Sequence, residues 1–141
     1  MNIIKRITII LTFSLLIGCA SMPSNEEIRS ADYGKKVSSS NCLNIAKQFI
    51  KFKMKDPSSV QYNNVSCEKG YQGSAPVFGV SKTFGYWFKG YVNAKNSFGG
   101  YTGFRAFSGI VRNDGSGPRV VRYCVDRMSG DILVCYPKMV Y

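Results

Sequence analysis

The sequence predicts an α+β fold, with one N-terminal amphipathic helix packed on a curled antiparallel sheet of four or five strands. Three observations carry this. Apolar residues recur at helical spacing between positions 42 and 55. From residue 58 onward the pattern switches to alternation with period two, broken by Gly, Pro and Asn-Asp clusters. Nine Tyr, nine Phe and 14 Gly among 141 residues, with few Leu or Ala, make a β-rich composition.

The first element is an export leader. Lys5 and Arg6 supply a positive n-region, and Ile7 to Ile17 form an uninterrupted h-region too short for a comfortable permanent span. Leu16-Ile17-Gly18-Cys19 follows. This run resembles the bacterial lipobox, in which a cysteine thiol receives diacylglycerol before the leader is cut. The resemblance implies a signal peptide over 1–18, a lipidated Cys19 carrying palmitate-type acyl chains, and a bacterial lipoprotein. In that family an Asp just after the cysteine favours inner-membrane retention. Ala20 and Ser21 stand there instead, which implies an outer-membrane anchor with the protein facing the periplasm.

Residues 19–40 are polar and aperiodic and predict a flexible tether, spanning about 25 Å root-mean-square at 5–6 Å times the square root of its length. A single domain over 41–141 follows. Asn41 is a candidate N-cap. Cys42, Leu43, Ile45, Ala46, Phe49, Ile50, Phe52 and Met54 fill one broad helical face. Asn44, Lys47, Gln48, Lys51 and Lys55 fill the other, and Lys53 falls in the apolar arc near the end, where a lysine can snorkel out. Asp56-Pro57 ends the helix.

The strands come next. Val60–Tyr62 and Val65–Cys67 alternate, with Asn63-Asn64 shifting the phase as a bulge does. Residues 68–82, with Gly70, Gly73 and Pro76, read as a long loop, and Val77 to Val80 as a short strand within it. Thr83 to Lys95 alternates, placing Phe84, Tyr86, Phe88, Val92 and Ala94 on one face. Gly100 to Arg112 is the next strand, and the cluster at 113–118 is a turn. Arg119–Arg127 and Asp131–Tyr136 form a final hairpin around Ser129-Gly130. Gly85, Gly90, Gly103 and Gly109 inside strands point to curvature or to closely approached backbone.

Beyond Cys19, the four cysteines Cys42, Cys67, Cys124 and Cys135 make an even count in an oxidising compartment and predict two disulfides. Three pairings are possible. Cys42–Cys67 with Cys124–Cys135 is preferred because both links are local. A two-residue loop would place Cys124 opposite Cys135 at a hydrogen-bonded pair, where Cβ atoms are too far apart for a disulfide, whereas a bulged or longer loop removes the difficulty. No CxxC spacing and no histidine supports a metal site, and no cofactor is expected.

Two segments stand out, Lys53-Met54-Lys55-Asp56-Pro57-Ser58-Ser59-Val60 and Gly90-Tyr91-Val92-Asn93-Ala94-Lys95-Asn96-Ser97-Phe98-Gly99-Gly100-Tyr101-Thr102-Gly103-Phe104. Together they resemble a family of small bacterial and phage-associated proteins, many of them lipoproteins, with no established activity. The resemblance covers roughly residues 42–112 and supports the domain boundary. Family members often carry a cysteine just before the glycine where this chain has Lys89, so the family's disulfide pattern does not transfer directly. Read from its own residues, the second segment is a strand running into a Gly-rich hairpin turn. Asn side chains bond to nearby backbone in such turns. Consecutive N–H groups beside Lys95 are a competing reading as an anion nest.

The formal net charge is +11. Taking Lys5 and Arg6 from the 19 basic side chains leaves 17 against 8 acidic, or +9. Such a surface is drawn to anionic lipid, lipopolysaccharide or acidic glycan, and in that compartment nucleic acid is not an expected partner. The absence of histidine, of paired carboxylates within the domain and of a G-x-S-x-G elbow argues against an enzyme. Two readings remain. One is a non-catalytic interaction module, anchored to the membrane by its lipid, that binds an envelope protein or an anionic envelope component. Its candidate face is Trp87, Lys89, Tyr91, Asn93 and Lys95, opposite the face packed on the helix. The other, implied only by the family's association with mobile elements, is an exclusion lipoprotein that blocks a second entry event.

Overall fold

The computed structural model describes residues 22–74, 81–126 and 133–136. It is an antiparallel five-stranded sheet with a helix packed on it. The strands are β1 (Gln61–Ser74), β2 (Ser81–Asn93), β3 (Arg105–Asn113), β4 (Pro118–Asp126) and β5 (Leu133–Tyr136). They lie in sequence order, each bonded to the next. Among the described residues two helices precede them, α1 (Asn25–Ser30) and α2 (Ser39–Lys53), and a 3₁₀ turn, Pro57–Ser59, leads into β1. Cys19 and the leader lie outside the described residues, as do Val77–Val80 and Ser129-Gly130.

Helix α2 begins three residues before the expected Asn41 cap. Ser38 is the N-cap, its hydroxyl accepting the Asn41 N–H, and Asn41 sits inside the first turn. Cys42, Ala46 and Ile50 form the buried stripe, with Leu43, Ile45, Phe49 and Met54 flanking it. Phe52 does not join them: it is 78% exposed. At 3.6 residues per turn it lies about 200° around the helix from Ile50, and the broad apolar arc drawn from sequence was too generous there. Lys53 has its ammonium 5.1 Å from the Phe49 ring centroid and 5.6 Å from that of Tyr123, a cation–π arrangement over an otherwise apolar seam. The helix stops at Lys53, and Asp56 instead caps the 3₁₀ turn through the Ser58 N–H.

The sheet face under α2 is built from Phe88 and Val92 of β2 and Phe107 and Val111 of β3, all buried. Gly109 makes this packing possible. A Cβ there would sit 2.3 Å from Phe88 Cζ and 2.4 Å from the Arg122 carbonyl oxygen, so close approach, not a turn, is what the glycine serves. Gly103, by contrast, lies outside the strands at φ +96 with open space around it. The bulge expected at Asn63-Asn64 is present, as a register shift between Asn63 and Ser66 with Asn64 at φ 48.

Three strand assignments need correction. Residues 68–74 are not loop, since Glu68 to Ser74 pair with Trp87 to Ser81. Gly70 faces Gly85 across the ladder, and the Trp87 Cβ stands 3.2 Å from where a Gly70 side chain would begin. The glycine accommodates a neighbour where its presence suggested a turn. β2 ends at Asn93, and Lys95 lies beyond it in an isolated bridge to Tyr101. β3 begins at Arg105, five residues later than expected.

The far end of β1 reaches over the sheet. Gln72 Nε2 donates to Ser108 Oγ on β3 at 2.8 Å and lies 3.0 Å from Cys124 Sγ on β4. In a flat sheet β1 and β4 stand about 14 Å apart, at roughly 4.8 Å per strand, so the contact requires the strands to bend toward one another on this side.

The cysteines pair as Cys42–Cys67 and Cys124–Cys135. The first ties α2 to β1. The second links directly opposed residues of β4 and β5, with Cα atoms 4.0 Å apart. That is close to the roughly 4.5 Å of a non-hydrogen-bonded pair, the closer of the two pair types, and not the wider separation of a hydrogen-bonded one.

The segment expected to be a tether is docked. Tyr33 and Val37 are buried, and the Tyr33 ring packs edge-on against Phe84 with the Lys69 ammonium 4.1 Å from its centroid. Glu27 pairs with Lys82 at 2.7 Å. Arg112 grips both the carboxylate and the backbone carbonyl of Asp32, and Lys35 N–H donates to the Asn113 carbonyl at 2.7 Å. Two buried side chains, Tyr33 and Val37, together with these polar links dock a segment whose composition reads as linker.

Candidate functional site

The two segments singled out by sequence meet. Ser59 is the joint: its Oγ accepts the Lys95 N–H at 2.8 Å and its carbonyl accepts the Tyr101 hydroxyl at 3.0 Å. The local chemistry explains the placement. Asp56 accepts from the Ser58 N–H at 3.0 Å and from its hydroxyl at 2.6 Å, fixing the 3₁₀ turn that presents Ser59. These bonds, the Ser58 hydroxyl foremost, hold the Asp56 carboxyl below its ordinary pKa. On the other side Asn96 Oδ1 accepts from the N–H groups of Phe98 and Gly100, at 2.9 and 3.1 Å. Gly99, at φ +81, takes the left-handed position that the turn demands. The Asn-bonded turn is thus the arrangement adopted: two of the N–H groups beside Lys95 are occupied by Asn96.

Between the helix end and this turn lies a cavity of about 370 Å³. Lys53 and Lys55 border it from one segment, Lys95 from the other, and Arg105 from the start of β3. No carboxylate is among the described residues lining it. Met54, Val92, Ala94 and Val125 give it an apolar floor. Phe98, at the rim, is 96% exposed. Arg105 is positioned by a 2.8 Å bond to the Thr102 hydroxyl, and the Lys95 ammonium lies 5.8 Å from the Tyr101 ring centroid. Four cations around an apolar floor, with no carboxylate among the described lining residues, suit an anion that also carries apolar or ring surface.

The five residues expected to form one exposed face divide. Trp87, Lys89, Tyr91 and Asn93 do alternate on β2 away from the helix, but Lys95 lies past the strand end and borders the cavity just described. Asn93 is buried, with 9% exposure, and so offers no contact surface. Trp87 is half-buried, its Nε1 out of water and without a hydrogen-bond partner among the described residues. The Lys89 ammonium stands 4.3 Å from the Trp87 ring centroid and 3.7 Å from the Glu68 carboxylate. Tyr91 is 46% exposed. Trp87, Lys89 and Tyr91 border a second cavity of about 400 Å³ together with Asn64 and Ser108.

Sequence reasoning identified Lys95 but not Lys53, Lys55 or Arg105 as its companions. The available signal was that two unusual segments lay on either side of β1 and could share a site. Among the described residues no helix is long and apolar enough to cross a membrane. Compared with protein-family models, curated proteins and solved structures, the chain matches none.

Proposed function

We propose that the protein is a lipid-anchored envelope module that acts by binding, with the basic cavity at the junction of the two segments as its recognition element for an anionic envelope component. One observation carries this reading. Lys53, Lys55, Lys95 and Arg105 border a cavity of about 370 Å³ with no carboxylate among the described residues that line it. Gathering four basic side chains around one cavity raises the local positive potential, and an anionic ligand relieves it. The lipid reading rests on the Leu16-Ile17-Gly18-Cys19 sequence, and would place the domain at a bacterial envelope surface.

The test uses the mature, membrane-extracted full chain and a lipopolysaccharide preparation as titrant, followed by calorimetry. Charge-assisted contacts contribute about 1.5–3 kcal/mol each, so Lys95→Ala with Arg105→Ala should weaken binding by roughly a hundredfold or more, while Lys89→Ala leaves it unchanged. Equal binding by wild type and the double variant removes the cavity as the recognition element. Labelled palmitate should appear in wild type and not in Cys19→Ser; equal labelling removes the anchor.

A further inference from the structure

Met22 in the leading segment aside, the three most exposed large apolar side chains line the basic cavity or directly precede residues that do. Phe98 is 96% exposed at the tip of the turn, Phe52 is 78% exposed in the last turn of α2, and Phe104, 48% exposed, stands between Gly103 and Arg105. Phe52 immediately precedes Lys53, and Phe98 borders the cavity with Lys53 and Lys55. The outward arc of α2 is cationic: Lys47 and Lys51 are exposed on it, Lys55 follows just beyond its end, and the helix contains no Asp or Glu. A water-facing site gains nothing from a fully exposed phenyl ring at a turn tip. A bilayer interface does, because the ring enters the acyl boundary while neighbouring Lys and Arg meet headgroup phosphates.

We infer that the outward arc of α2 and the 94–104 turn together form a peripheral docking surface for an anionic phospholipid bilayer, with Phe98 and Phe52 as the inserted side chains. The inference rests on the reading of the basic cavity as an anion site and names the anion as lipid headgroup phosphate. Charge complementarity selects this occupant over a protein groove. Lys47, Lys51, Lys55, Lys95 and Arg105 present five cations, and Asp56, tied to the Ser58 hydroxyl and N–H, is the carboxylate nearest them in sequence. The geometry also suits an anchored chain. The docked 22–37 segment attaches beside Phe84 and Arg112 and runs into the start of α2, while the cavity lies at the end of α2. A helix of 15 residues is about 22 Å long. Lying flat on the surface, it lets the lipid at one end and the phenyl rings at the other reach the same membrane.

The experiment reconstitutes the full lipid-bearing chain in vesicles of phosphatidylcholine alone or with one third phosphatidylglycerol, using acyl chains brominated near the headgroup. The natural chain has a single tryptophan, and half-buried Trp87 serves as the internal unquenched reference. Phe98→Trp adds a reporter at the turn tip. The expected result is a blue-shifted, bromine-quenched second emission in the anionic vesicles. It should fall back toward the neutral-vesicle value at high salt or when Lys51→Gln and Lys55→Gln are added, with the docked-to-undocked ratio dropping about fivefold for each cation neutralised. A position-98 reporter that stays unquenched, or is quenched equally in both vesicles, overturns the membrane surface. If lipopolysaccharide titration still depends on Lys95 and Arg105 in that case, the recognition cavity stands and only its ligand is wrong; if that dependence is also absent, both readings fall together.

Discussion

Arg112 on β3 and Asp32 in the N-terminal segment, eighty residues apart, are joined twice: the guanidinium binds the Asp32 carboxylate and its backbone carbonyl at once. The same guanidinium reaches the Asp114 carboxylate and the Phe84 carbonyl, the latter at 3.2 Å. One side chain therefore links the leading segment, β2 and the β3–β4 turn. Arg112→Ala should cost about 1–2 kcal/mol, since hydrogen bonds to charged groups contribute more than neutral ones but the Asp32 carboxylate is largely exposed. Trypsin should then cut after Arg29, Lys35 or Lys36 faster than in wild type, and unchanged cleavage counts against the clamp.

The same clamp has an acid limit. The Gly34 N–H first, at 2.8 Å, and the Arg112 guanidinium next hold the Asp32 carboxyl below its ordinary pKa. A carboxyl with a lower pKa folded than unfolded contributes fully above its unfolded value, and that contribution is lost as pH falls through the folded one. Hydrogen exchange in residues 25–37 should therefore match wild type to Arg112→Ala progressively as pH drops from about 5 to about 2, and remain distinct near neutrality. A difference that persists undiminished in acid places the restraint elsewhere.

Gly109 marks the tightest point of the core. A methyl group there meets the Phe88 ring at 2.3 Å and the Arg122 carbonyl at 2.4 Å. Gly109→Ala should cost at least about 1–3 kcal/mol by overpacking. Phe88→Leu should not rescue it, because the carbonyl belongs to the β3–β4 ladder and cannot rotate away. Thermal melting of the single and double variants decides the matter, and recovery in the double variant would show that the ring alone sets the limit.

The two disulfides close loops of different length, with sequence separations of 25 for Cys42–Cys67 and 11 for Cys124–Cys135. On the loop-entropy account the first stabilises by about 3.5 kcal/mol and the second by about 2.8 kcal/mol. Paired Cys→Ser variants measured by denaturant unfolding should rank in that order. The reverse ranking would mean that strain or packing, not chain closure, decides each bridge.

Much of this architecture was legible because it rests on local periodicity. The α2 stripe of Cys42, Ala46 and Ile50, the alternation through Phe88 and Val92 and the Asn63-Asn64 bulge follow from spacing along the chain, and the cysteine pairing is, of three possible, the one preferred for its local links. What escaped depends on contacts between distant positions. Gly70 marked a loop in sequence because its role, making room for Trp87, exists only once β1 and β2 are paired. Residues 22–37 suggested a linker because Tyr33 and Val37 are too few to form a pattern, although Phe84, Lys82 and Arg112 wait for that segment on the sheet. The basic cavity was half visible: Lys95 stood in a conspicuous segment, but its companions Lys53, Lys55 and Arg105 come together only through the Ser59 joint.

That division sharpens the test of the β2 face. Trp87 is half-buried with its Nε1 removed from water, so Trp87→Ala should lose packing and lower stability by about 2–4 kcal/mol, near the range for truncating a large aromatic. Lys95 is exposed beyond the strand end, its backbone N–H, not its ammonium, holding Ser59. Lys95→Ala should leave melting within about 0.5 kcal/mol of wild type while weakening binding to the lipopolysaccharide preparation. The two substitutions thus separate fold from recognition, which a combined Trp87 and Lys95 variant would confound. Should Trp87→Ala melt like wild type yet lose ligand, the indole belongs to the binding surface and the second cavity, beside Asn64 and Tyr91, becomes the site. Should Lys95→Ala unfold the domain, its side chain is part of the turn's architecture, and Arg105→Ala then becomes the variant that tests the cavity.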